Sequence, residues 1–127
     1  METNNKYSKN EKLKSKKAID YLFSKGKSIN AFPIRVIYTK KPTPENTLIN
    51  AGVVVSKKNI KLAVNRNLIK RRMREAYRLN NQELKSTLNK KGLELDVMFI
   101  YSSKEILPFE TIERKIKVLL TRLTELE

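Results

Sequence analysis

Nine cationic side chains fall between Lys57 and Arg78, and Glu75 is the single acid among them. The whole chain holds 28 Lys and Arg against 13 Asp and Glu, a formal net charge of +15, and residues 57–78 carry +8 of it. Guanidinium groups grip phosphate oxygens in bidentate fashion, and ammonium groups act as point charges on them. A run of this kind in a small basic chain predicts a face for a polyanion such as nucleic acid. The plainer alternative is a solvated basic helix. It is disfavoured because like charges at i, i+3 and i+4 repel when no counter-charge sits between them, and because the excess is so unevenly distributed.

Chemistry of other kinds is thinly represented. The chain has no His and no Cys, which removes imidazole general bases, Ser-His and Cys-His nucleophiles, disulfides and Cys-based zinc sites together. Its only Asp residues, Asp20 and Asp96, lie far apart in sequence and in separate elements. Phosphodiester hydrolysis commonly uses a pair of divalent metals, and the sequence offers no convincing cage of side chains for them. No apolar run approaches the ~20 residues that span a bilayer, and the opening METNNKYSKNEKLKSKK lacks the apolar core of a secretory signal. The expected location is the cytoplasm.

The elements that must position the cations follow from pattern. A length of 127 residues, with 39% hydrophobic and 32% charged residues, predicts one domain spanning 1–127 with a modest core. The polar, Lys- and Asn-rich residues 1–12 are expected to be mobile. Ala18 to Phe23 reads as a short helix stopped by Gly26. Phe32, Ile34, Val36 and Tyr38 recur with period two, a half-buried strand with Pro33 at its start or at a sheet edge. Pro42 to Asn46 reads as a turn, and Leu48 to Ser56 as a β-branched second strand. The two strands are expected to form a hairpin.

From Asn59 to Asn80 there is no Gly or Pro, and the stretch predicts a long helix. Leu93 to Tyr101 reads as a strand after Gly92. Pro108 opens a last helix with Ile112, Ile116, Leu119, Leu120 and Leu123 on one face. The fold class is therefore α+β, helices packed on one small sheet.

At 100° per residue the long helix divides into two sectors. Ile69, Met73, Ala76 and Tyr77 form an apolar side that must face the sheet. Asn67, Lys70, Arg71, Arg74 and Arg78 form a cationic ridge pointing away from it. Upstream, Ser56, Lys57, Lys58 and Asn59 sit where a strand gives way to the helix, and backbone N–H groups with the helix dipole favour a phosphate there. Lys57, Lys58, Arg66, Asn67, Lys70, Arg71, Arg74 and Arg78 are the candidate RNA-binding residues.

The stretch SKKNIKLAVNRNLIKRRMREAY, Ser56 to Tyr77, resembles the arginine-rich signature of the bacterial ribonuclease P protein. The matching pieces are Ser56-Lys57-Lys58, Ala63-Val64, Arg66-Asn67, Lys70-Arg71 and Arg74-Glu75. Leu13, Phe23, Gly26 and Ser28 resemble the family's N-terminal pattern. Two positions depart from it. Leu68 stands where the family usually has a second Arg, beside the ridge on the wheel, and Ile19 stands where an aromatic usually lines a sheet cleft, which weakens a stacking platform for single-stranded RNA.

The resemblance implies a four-stranded sheet with three helices in the order α-β-β-β-α-β-α and a left-handed β-α-β crossover, against the general rule of handedness. It implies a subunit of the ribonuclease P ribonucleoprotein that binds the catalytic RNA and the 5′ leader of precursor tRNA, with hydrolysis carried by the RNA and its Mg2+. It also implies a loop that helps hold metal ions. For the leader cleft the candidates are Ile19, Phe23, Phe32, Ile34, Val36 and Tyr38; apart from Phe23, each fits a core position better. Composition alone serves a structural RNA-binding protein equally well. A DNA-binding regulator lacks the second helix a helix-turn-helix needs, and a protein-only nuclease would need Asp20, Asp96 or nearby Glu residues to act.

Overall fold

The computed structural model describes residues 16–42 and 49–125; residues 1–12, Leu13 and most of the turn expected over Pro42–Asn46 lie outside them. Helix α1 (Lys16–Lys25) leads into strand β1 (Lys27–Ala31). Gly26 joins them where no other residue fits without movement: a Cβ there would lie 2.4 Å from the Leu22 carbonyl oxygen and 3.2 Å from that of Tyr38. Its N–H donates to the Leu22 carbonyl at 2.9 Å. The helix is thereby closed and held against the second strand.

Strand β2 (Ile34–Pro42) follows a turn at Phe32-Pro33, and β3 (Ile49–Val55) precedes α2 (Ala63–Asn80). Asn81, with φ −95° and ψ 2°, ends α2 and starts α3 (Gln82–Lys91). Gly92 closes α3 at φ 66°, a left-handed position natural to glycine. Strand β4 (Leu93–Tyr101) and α4 (Phe109–Thr124) complete the chain. Helix α3 is an addition to the three helices expected. Its apolar signal is Leu84 and Leu88 alone, one i, i+4 pair, too little periodicity to stand out in sequence.

The sheet order is β1-β2-β4-β3. β1 and β2 are antiparallel, as are β2 and β4, while β3 runs parallel to β4. The expected hairpin of the second and third strands is therefore corrected: β4 lies between them, and the hairpin is β1–β2. Two adjacent strand patterns read alike whether they pair directly or admit a third strand. The parallel pair β3 and β4 is joined through α2 and α3, a β-α-β crossover that antiparallel neighbours would not require.

One face of the sheet carries Val36, Ile49, Ala51, Leu95, Val97, Phe99 and Tyr101 against Ile69, Met73 and Tyr77 of α2, Leu84 and Leu88 of α3, and Ile112, Ile116, Leu119 and Leu123 of α4. Each large side chain removed from water here contributes roughly 1.5–3 kcal/mol. The apolar faces expected for α2 and α4 are the buried ones. On the other face α1 supplies Leu22, which closes a small cluster with Ile37 and Met98, flanked by Ile19, Val54 and Ile100.

Candidate nucleic-acid interface

Burial of Ile69, Met73, Ala76 and Tyr77 fixes the rotation of α2 and turns the opposite side to solvent. On that side Asn67, Arg71 and Arg74 are exposed and Lys70 is half-buried. Among the described residues Lys70, Arg71 and Arg74 have no carboxylate or carbonyl partner. Lys57 and Lys58 are exposed in the loop between β3 and α2, a turn closed by the Ile60 N–H donating to the Ser56 carbonyl at 3.0 Å. Leu62, the N-cap of α2, offers no side-chain cap, and the first turn holds no acid, which leaves first-turn N–H groups open to an anion.

The nine cations are not equivalent. Arg66 folds back and donates through Nη1 to the carbonyls of Ile60 at 3.0 Å and Lys61 at 2.7 Å, so it braces the loop that enters α2. Arg78 is held by Glu75, with Nε donating to Oε1 at 3.1 Å, and this contact raises the Arg78 pKa above its ordinary value. Arg72, which the wheel placed outside the ridge, donates to the Leu107 carbonyl and ties α2 to the loop before α4. That role has no signature in sequence, because its acceptor is a backbone atom 35 residues away. Leu68 is half-buried, so its place in the motif removes a cation from the flank of the ridge and leaves the ridge intact. Two apolar residues at the helix start, Leu62 and Val64, are exposed beside it.

The leader-cleft candidates separate. Ile34, Val36 and Tyr38 are 1%, 0% and 8% exposed and sit in the helix-packed core, so they are corrected to core residues: contact with an RNA strand would require opening the fold. The same period-two pattern that identified the strand placed these three on its buried side. Ile19 and Phe23 lie on α1, Ile19 half-buried against the small cluster and Phe23 54% exposed. Phe32 is at the hairpin tip, 71% exposed. Since α1 packs on β2 and β4, the outer side of β3, with Asn50 and Val54 half-buried, is left as the open flank of that face.

Acidic groups are sparse here. On the open face Asn50 Nδ2 donates to Glu94 Oε2 and to Asp96 Oδ1, both at 2.8 Å. That satisfies a carboxylate pair with an amide. Among the described residues no three acidic, His or Cys side chains converge as a metal cage. No helix among the described residues is long and apolar enough to cross a membrane.

An α+β fold whose longest helix turns Lys70, Arg71 and Arg74 to one side, without a partner among the described residues, is the build of a basic nucleic-acid-binding protein. The Ribonuclease P family model matches residues 7–124. The ribonuclease P protein component of Porphyromonas gingivalis is 34% identical over 116 residues, covering 91% of this chain and 85% of that one. That of Chlorobium phaeobacteroides is 34% identical over 135 residues, covering 96% and 92%. The RNase P protein from Thermotoga maritima superposes with a TM-score of 0.65 at 27% identity, over 92% of this chain and 98% of that one. For the Staphylococcus aureus protein the TM-score is 0.68 at 23% identity, over 88% and 94%, a likeness of fold. The chain belongs to the ribonuclease P protein family.

Proposed function

We propose that this chain is the RNA-binding protein subunit of ribonuclease P, which assists a catalytic RNA in removing the 5′ leader from precursor tRNA in the cytoplasm. The observation that carries the reading is the set Lys70, Arg71 and Arg74, cations on a rigid buried-backed helix with no partner among the described residues. They neutralise successive phosphates of the catalytic RNA, with Lys57 and Lys58 extending the contact around the start of α2 and Asn67 adding a hydrogen bond to sugar or base. Arg66 and Arg78 act chiefly by shaping the ridge. The leader lies on the open face beside α1, against Phe23 and Ile19. Hydrolysis belongs to the RNA and its Mg2+, and the protein lowers the Mg2+ and salt the assembly needs by supplying fixed positive charge.

The test is cleavage of a leader-bearing precursor tRNA at low Mg2+ by the organism's own catalytic RNA, with and without the protein. The expected result is that the protein restores accurate cleavage and that Arg71→Ala with Arg74→Ala diminishes the effect. Binding without any change in cleavage at any Mg2+ concentration overturns the reading in favour of a structural RNA-binding role.

A further inference from the structure

Helix α2 has a third side, which faces neither the core nor the cationic ridge, and its first half is aliphatic. At 100° per residue Val64 lies about 20° and Leu68 about 60° round the helix from Arg71, away from Lys70 and Arg74. Val64 is 71% exposed and Leu68 is half-buried. The next member of this row, four residues on, is Arg72, whose Nη1 donates to the Leu107 carbonyl. That bond brings the loop before α4 to the same side of the helix, and Ile106 in this loop is 44% exposed. Glu75, three residues beyond Arg72, is paired with Arg78 and closes the row.

The loop is held in place. Tyr101 Oη donates to the Glu105 carbonyl at 2.6 Å and accepts the Leu107 N–H at 3.2 Å, and the Glu105 N–H donates to Ser103 Oγ at 3.0 Å. Ile106 is thus presented on a fixed frame. Isolated exposed apolar residues are common and need no explanation, but these three share one flank of a helix, and Arg71 borders both that flank and the ridge. The strip holds no aromatic ring, so it offers unpaired bases nothing to stack on. An aliphatic surface suits ribose edges instead, and an A-form double helix displays its riboses in a wide, shallow groove. A helix about 10 Å across that sets Arg71 on a phosphate brings its adjoining flank within reach of that groove.

We propose that Val64, Leu68 and Ile106 form an aliphatic seat for the shallow groove of a double-helical segment of the catalytic RNA, packed on ribose edges beside the phosphates that Lys70, Arg71 and Arg74 neutralise. Arg72 is a positioning residue: it holds Ile106 in line with Val64 and Leu68 through the Leu107 carbonyl. The seat rests on the reading of α2 as the face for that RNA and adds to it an attraction that does not depend on salt.

The full chain is titrated with the catalytic RNA at several salt concentrations, and hydroxyl-radical footprinting reports which riboses the protein covers. Val64→Ser and Ile106→Ser change exposed positions and should leave thermal unfolding unmoved. Each is expected to weaken binding by roughly 4- to 15-fold, the worth of one or two buried carbons, with the salt slope unchanged because no phosphate contact is lost. Both should uncover the same run of riboses, next to the run uncovered by Arg71→Ala. Arg72→Ala should uncover the riboses that depend on Ile106, and adding Ile106→Ser to it should cost nothing further in binding.

Native binding and footprint in both Val64→Ser and Ile106→Ser overturn the proposal, as do uncovered riboses that lie apart from those of Arg71→Ala. Native RNA binding by Val64→Ser together with a loss of self-association in sedimentation assigns the strip to a second copy of the chain, and overturns it too. If Arg71→Ala leaves binding to the catalytic RNA unchanged, the proposed function itself fails; if Arg71→Ala weakens binding while Val64→Ser and Ile106→Ser do not, the seat alone fails.

Discussion

The two faces of the sheet are built to different standards. The face beneath α2, α3 and α4 buries side chains from β2, β3, β4 and all three helices in one continuous cluster. The face beneath α1 buries Leu22, Ile37 and Met98, with Ile19, Val54 and Ile100 partly covered. The first carries the stability; the second, with its short helix and open β3 flank, leaves surface for a ligand. A like division runs along α2, where Arg66, Arg72 and Arg78 are spent on protein acceptors while Lys70, Arg71 and Arg74 are not. In this molecule a cation's place in the motif does not tell whether it serves the fold or the partner; its acceptor does.

The comparison of faces can be broken most directly in the core. Phe99→Ala, at a fully buried position packed on Tyr77 with ring centroids 6.0 Å apart, is expected to cost about 3–5 kcal/mol of unfolding free energy. Met98→Ala, its neighbour on the α1 face, should cost less, and denaturant unfolding of both gives the difference. Equal losses would mean that the α1 face is as important to the fold as the other.

The division among arginines predicts the next effects. Arg71→Ala and Arg74→Ala should each weaken binding to the catalytic RNA by about 1–3 kcal/mol and lower the salt slope by about one apiece, with thermal unfolding almost unmoved. Arg72→Ala should behave in the opposite way. Loss of its hydrogen bond to Leu107 lowers stability by about 1–2 kcal/mol, and the salt slope of RNA binding stays near that of the native protein. A large drop in salt slope for Arg72→Ala would move that residue into the interface.

The smallest expected effect is a pH dependence. Burial pushes the Tyr101 phenol above its ordinary value, outweighing the hydrogen bonds to Leu107 and Ser103 that lower it. An unfolded tyrosine loses its proton near pH 10, whereas the folded one keeps it to higher pH, so the unfolded state binds fewer protons in that window and stability falls as pH rises through it. The stability margin of the native protein over Tyr101→Phe should therefore be full at neutral pH and narrow above pH ~10. A margin that stays constant would show that the phenol ionises alike in both states.

Much of the candidate site's placement was legible without coordinates. Composition excluded His and Cys chemistry outright, and the 3.6-residue period of Ile69, Met73, Ala76 and Tyr77 gave both the buried side of α2 and the direction of Lys70, Arg71 and Arg74. The α4 face from Ile112 to Leu123 was equally plain. Helical periodicity is a local property, and burial of one stripe dictates where the other points.

Pairing and acceptors were not legible, because they depend on what arrives from elsewhere in the chain. The strand from Ile34 and the strand from Ile49 looked like partners until β4 took the place between them. Ile34, Val36 and Tyr38 showed one side of a strand without showing whether three helices or a ligand would cover it. Arg66, Arg72 and Arg78 carried the same charge in sequence as Arg71 and Arg74, and only folding brought carbonyls or Glu75 within their reach. The sequence by itself determined the charge, its concentration in and just before one helix and the helix's orientation, all set by neighbours within a few turns. Tertiary structure decided strand order, which aromatic residues stay outside the core and which cations remain available, since each of these is fixed by contacts between residues distant along the chain.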